Sequence, residues 1–180
     1  MKQPISAKAV LVALVYLSAG LRAENLAKGR VTTMISSLTE ASVCTDGDYY
    51  GFDHHQTCHT YSHVNPWIQV HLDEVVHVRT VVIVNREDMG SNNLIGSEIR
   101  VGNLTDPKDA NPSCGVVVDE GGIYDCDLWG SVVTIRRATS VNTHYHIAEI
   151  AVWAEKNIAP KGVASQESSN SHGNADASAA

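Results

Sequence analysis

Residues 67–88 read WIQVHLDEVVHVRTVVIVNRED, and the fold follows from this stretch. Two apolar runs rich in β-branched residues, 67–72 and 76–84, flank a polar break at Asp73-Glu74. Branched side chains pack well on a pleated surface and lose rotamer freedom in a helix, so both runs predict strands. In Ile68-Gln69-Val70-His71-Leu72 the character alternates, as expected where one face is packed and the other is wet. Outward from this centre, residues 30–35, 98–101, 116–118, 131–135 and 146–153 have the same composition, with alternation again in Ile147-Ala148-Glu149-Ile150-Ala151-Val152. Gly, Asn, Asp and Pro fill the intervals, and no long stretch sustains a helical period. A count of about seven or eight short strands predicts an all-β fold, an antiparallel β-sandwich of jelly-roll type.

The composition agrees. The chain has 180 residues, 43% hydrophobic and 18% charged, which suits one folded domain and excludes global disorder. Twenty acidic against thirteen basic side chains give a net charge of -7, which argues against broad electrostatic capture of nucleic acid or anionic membrane. No GxSxG, HExxH, P-loop or Rossmann fingerprint is present, so nothing in the motifs points to an enzyme.

The two ends read differently from the middle. Residues 1–23 place Lys2 and Lys8 ahead of the apolar run AVLVALVYL (9–17) and then Ser18, Ala19 and Gly20. This is the pattern of a signal peptide, cleaved between Ala19 and Ala23, and the run is too short to span the ~30 Å hydrocarbon core of a bilayer. The reading predicts a secreted, extracellular protein without membrane insertion. Cleavage would remove three basic residues and no acid, taking the charge from -7 to -10. Residues 158–180, dominated by Ala, Ser, Gly and Asn, predict a disordered tail. The folded domain is then 24–157.

Four cysteines, Cys44, Cys58, Cys114 and Cys126, read as two disulfides in a secreted chain. Three pairings exist. The sequential one, Cys44 with Cys58 and Cys114 with Cys126, closes two short loops and is the expected choice.

Three loop constellations carry possible chemistry. Thr45-Asp46-Gly47-Asp48, with Thr57 downstream, offers hard oxygen ligands of the kind calcium takes, although spacing alone also describes an Asx-rich turn. His54, His55, His59 and His63 form a histidine-rich loop, and a zinc hydrolase would need them to converge from fixed elements with an open position. Polar loop histidines are the plainer reading. Arg86 and Asp88, at the end of the longest apolar run, can hold one another by charge-assisted hydrogen bonds and leave guanidinium donors for a ligand.

Read in order, Asn25-Leu26-Ala27-Lys28-Gly29-Arg30-Val31, the Asp46-Gly47 turn, Cys58-His59-Thr60, Asn65-Pro66-Trp67, Asn85-Arg86-Glu87-Asp88 and Ile99-Arg100-Val101-Gly102-Asn103 resemble the F-type lectins, or fucolectins. So do Asn111-Pro112-Ser113-Cys114 and Ala148-Glu149-Ile150-Ala151-Val152-Trp153, and the match runs over residues 24–153. The resemblance implies a discoidin-like β-sandwich that binds fucose on glycans, in cell-surface or pathogen recognition and innate immunity. The family's sugar motif implies a site of His59, Arg86, Asp88 and Asn93. Asn93 stands where the family carries Arg or Lys, and Met89-Gly90 replaces a vicinal cysteine pair. The resemblance also implies a structural calcium held by Asp46, Asp48, Thr57 and Glu149 with carbonyls of Val43 and Ala148. The Cys114–Cys126 bridge matches the family. A second family bridge cannot form because Ala148 occupies one of its positions, so Cys44 looks like the substitute partner of Cys58.

The expected partners are therefore fucosylated glycans, with a homo-oligomer left open. The competing reading is a recognition module of the same fold whose degenerate sugar site leaves it binding a protein. Asn103-Leu104-Thr105 is the one N-glycosylation sequon.

Overall fold

The computed structural model describes residues 24–88, 91–108 and 110–155. The expected signal peptide and tail lie outside them. Seven strands form: β1 (Val31–Met34), β2 (Cys58–His59), β3 (Trp67–Asn85), β4 (Glu98–Gly102), β5 (Ser113–Val116), β6 (Gly122–Arg136) and β7 (His146–Glu155). Short 3-10 helices occupy Ala41–Thr45 and Ser91–Leu94. Every pairing between strands is antiparallel, as expected. No helix among the described residues is long and apolar enough to cross a membrane.

The two apolar runs of the central stretch form one 19-residue strand rather than two. Its middle, Asp73-Glu74-Val75, is exposed and marks an irregularity, but β6 continues alongside and keeps the halves in one ladder. On the other side β3 changes partner. Residues up to His71 pair with β1, and residues from His77 onward pair with β7. The second half of β6 similarly takes β4 as its outer neighbour. These two long strands therefore pass through both layers of the sandwich: β1-β3-β6-β4-β5 in one, β2-β7-β3-β6 in the other.

One core lies between the layers. Ile68 and Val70 from the first half of β3 share it with Val78, Val81 and Ile83 from the second, and with Ile99, Val133, Ile135, Ile147 and Ile150. All these side chains are removed from water, at a gain of about 1.5–3 kcal/mol each before conformational entropy is subtracted. Both cysteine pairs form as expected, Cys44 with Cys58 and Cys114 with Cys126.

Further expectations need correction, among them the strand read at 131–135, which starts at Gly122. The strand read at 116–118 lies earlier, at Ser113–Val116, where Cys114 is tied to Cys126 of β6, and Val118 is fully in solvent at 79% exposure. More consequential, the second face of β7 is not wet. Ala148, Glu149 and Ala151 are fully buried because the segment from Ala41 to Gly51 folds across them. Gly51 is needed for that approach: a Cβ there would fall 2.6 Å from the Ala148 Cβ and 3.2 Å from the Asn85 carbonyl.

Candidate functional site

Three strand ends meet at one end of the β2-β7-β3 layer. His59 on β2 pairs with His146 at the start of β7, and the Arg86 amide, one residue past β3, donates to the His146 carbonyl at 3.3 Å. Because His59 and His146 are cross-strand neighbours, their rings lie together, with centroids 5.1 Å apart. His144, two residues earlier, projects to the same side, 5.2 Å from His59 and 4.9 Å from His146 between centroids.

Arg86 leaves this floor and is gripped by Asp88. Its Nε and Nη2 donate to Oδ1 and Oδ2 of one carboxylate, the second bond at 2.7 Å. The guanidinium is only 10% exposed and is fixed in direction by the two bonds to Asp88. Asn93, in the short 3-10 helix Ser91–Leu94, also reaches this floor. Its Nδ2 lies 3.1 Å from His144 Nε2 and 3.5 Å from His146 Nε2. The four residues expected at the sugar site, His59, Arg86, Asp88 and Asn93, therefore converge.

The histidine-rich loop does not act as a unit. His54 and His55 are exposed and pack on one another, and His63 bonds to Ser36 Oγ at 2.9 Å. Only His59 joins the site. Its companions, His144 and His146, were not singled out from the sequence, although the pattern His144-Tyr145-His146 at the entry to a strand has the period that puts both rings on one side.

Burial decides the charge of these rings. His146 is 2% exposed, and burial, followed by His144, His59 and Arg86, pushes it down to about 4. His59 is held below its ordinary value, again by burial first and then by His144, Arg86 and His54. Both imidazoles are neutral near pH 7.

A second polar group lies behind the layer. Glu149 is fully buried, yet its carboxylate accepts only from the Asn25 amide at 2.9 Å and the Gly47 N–H at 3.1 Å. Burial pushes it up to about 8; those two donors oppose the shift, and Asp46 adds to it while Lys28 opposes it. The turn beside it is built by Asx bonds, Asp46 Oδ1 accepting from the Asp48 N–H at 2.7 Å and Asp48 Oδ1 from the Tyr50 N–H at 3.0 Å. Gly47 has φ +87° there, which glycine adopts without strain. Thr57 is buried and Val43 half-buried close to the Cys44–Cys58 bridge, while Ala148 precedes Glu149 on β7.

The fold is an all-antiparallel discoidin-like sandwich, and relatives place the chain more narrowly. No family model matches the chain. Fucolectin of Anguilla anguilla is 30% identical over 126 residues, covering 66% of this chain and 78% of the relative. The pentraxin fusion protein of Xenopus laevis is 31% identical over 104 residues, covering 54% of this chain but only 25% of that longer protein. Among solved structures, the lectin domain of lectinolysin complexed with Lewis B antigen superposes with a TM-score of 0.64 at 23% identity, over 74% of this chain and 98% of that one. The chain belongs to the fucolectin, or F-type lectin, family.

Proposed function

We propose that this protein is a secreted lectin, not an enzyme, that binds fucose-like sugars on glycans in the basin of His59, Arg86, Asp88 and Asn93. The observation that carries the reading is the Arg86 guanidinium, locked by Asp88 beside the neutral His59 ring. A fixed planar donor discriminates between hydroxyl arrangements, because a sugar whose hydroxyls miss it leaves the guanidinium N–H groups not taken by Asp88 without an acceptor. His59 supplies one further hydrogen bond to a hydroxyl or ring oxygen. Asn93 contributes a neutral amide already engaged with His144, so the site lacks the second cation of its family and binds more weakly by roughly ten-fold. A relative named fucolectin and a fold neighbour bound to Lewis B antigen support the same ligand class.

We also infer a structural calcium. Its ligands would be Asp46, Asp48, Thr57 and Glu149 with the carbonyls of Val43 and Ala148. The fit rests on Glu149, a fully buried carboxylate met by two neutral donors, for which a hard cation is the missing partner. Calcium would clamp the 41–51 segment onto β7 without touching the sugar. Secretion is supported by the two disulfides, which persist in oxidising compartments.

A glycan array with the parent and Arg86→Ala tests the sugar reading. Fucosylated glycans retained by the parent and lost by the variant support it. No retention of any glycan, with capture of a protein ligand instead, would favour the degenerate-site alternative.

A further inference from the structure

His59, His144 and His146 each offer a ring nitrogen, and these three atoms all lie within 4.8 Å of one another. It is the one such group of histidine, cysteine or carboxylate side chains among the described residues. We propose that the three histidines form a binding site for a divalent transition metal of the zinc class, at the floor of the basin.

The histidines come from two hydrogen-bonded strand ends, so their backbones are fixed relative to one another. Packing three imidazoles together without a cation between them is costly in polar terms. His59 Nδ1 and His146 Nδ1 are buried without a hydrogen-bond partner, and the Asn93 amide serves only the Nε2 atoms of His144 and His146. Buried polar atoms are nearly always satisfied in native proteins, so two orphaned nitrogens in one cluster point to a missing ligand.

Zinc suits the donor set. It accepts imidazole nitrogen at ~2.0–2.1 Å in a tetrahedron, and three histidines leave the fourth position open. The nitrogens would have to close from within 4.8 Å to roughly 3.4 Å of one another. His59 and His144 are both part-exposed and have room for that adjustment by side-chain rotation.

The surrounding charge does not forbid a dication. Arg86 is the arginine whose charge acts on His59 and His146, but Asp88 neutralises it through two hydrogen bonds, and Asp53 adds a second negative charge in its field. His54 also faces His59 and lies in the exposed loop. The calcium group, with its carboxylate oxygens, is chemically separate: hard oxygen donors there, imidazole here. Because His59 also belongs to the sugar basin, zinc and fucose would compete; this consequence, unlike the metal site, rests on the proposed sugar function.

The test is calorimetric titration of zinc chloride into tag-free full-length chain in saturating calcium, which keeps carboxylate sites occupied. One zinc per chain is expected, with His144→Ala and His59→Ala each weakening it by roughly ten-fold or more, and His63→Ala leaving it unchanged. Cobalt(II) gives an independent reading, since a four-coordinate histidine site produces visible absorption bands that both cluster variants should abolish. The proposal is overturned by the absence of saturable zinc binding, by equal binding in His144→Ala and parent, or by equal loss in His63→Ala. Adding fucose separates the two claims: zinc binding without any fucose binding would sink the sugar reading and leave the metal site standing.

Discussion

Replacing Glu149 by Gln separates the calcium account from ordinary packing, because the two make different predictions with and without the ion. In chelator the carboxylate is buried with two accepted bonds, from Asn25 and Gly47. Gln keeps the volume and one acceptor, so it forfeits about 1 kcal/mol for the second bond. Near neutral pH in chelator the parent's carboxyl, pushed up to about 8, is largely protonated when folded but ionised when unfolded, which costs the parent about 3 kcal/mol and already makes the variant the more stable of the two. With calcium at a hundred times its dissociation constant, a native-state ligand adds about 2.7 kcal/mol to the parent. For a domain of this size that is a rise of roughly 10 °C in Tm. Gln removes one anionic ligand, so the variant should gain little from calcium. The pH dependence in chelator follows from the raised value: stability from Glu149 is complete below ~4.5, the ordinary carboxyl range, and is lost as pH rises through about 8. At pH 9 in chelator the variant should therefore be the more stable protein, by on the order of a few kcal/mol. Thermal unfolding by circular dichroism, with calcium and with EDTA, reads all of this. An equal calcium-induced rise in both proteins, or none in the parent, would refute the assignment.

Three further outcomes follow from the same geometry. At pH 4.5 the parent should lose about 2.5 kcal/mol more than His146→Gln relative to pH 7: stability from a neutral His146 is present above ~6.5 and drains away as pH falls through about 4. Urea denaturation at the two pH values measures this, and equal losses would show that His146 is not held neutral. Asn93→Arg should tighten free fucose binding by roughly five-fold, a charge-assisted bond less the entropy of fixing a long side chain; an unchanged affinity in calorimetry would mean that the new Arg does not displace the Asn93 contact with His144 productively. Asn103 is exposed, with its Oδ1 accepting from the Ser131 N–H at 3.1 Å, so the sequon should be glycosylated in a eukaryotic secretory host. An intact mass equal to the bare polypeptide would contradict it.

Much of the fold was legible because strands advertise themselves by β-branched runs and turn residues. The limits of the strands were less so: the break at Asp73-Glu74 looks like an end in one dimension, yet β6 spans it in three. Wetness along β7 was misread for a similar reason. Alternation reports which residues share a face, and only the path of the 41–51 segment reveals that both faces are covered. At the site, Arg86 and Asp88 were readable as a pair because they are two residues apart, and His59 was recognisable only through the spacing of the family motif. His144 and His146 escaped notice because their partner on β2, His59, is 85 or more positions away, and no local pattern announces a contact between β2 and β7. The cysteine pairing was readable because the sequential choice closes the shortest loops.

The central claim is that a locked guanidinium beside a neutral histidine binds a fucose-like sugar. Calorimetric titration of free L-fucose into the parent, in calcium and free of zinc, tests it most directly when repeated with Arg86→Ala. Saturable binding of one fucose per chain, abolished by the variant while its melting temperature in calcium stays within a few degrees of the parent, is the predicted result. Absence of binding in the parent, or equal binding in Arg86→Ala, would contradict the account.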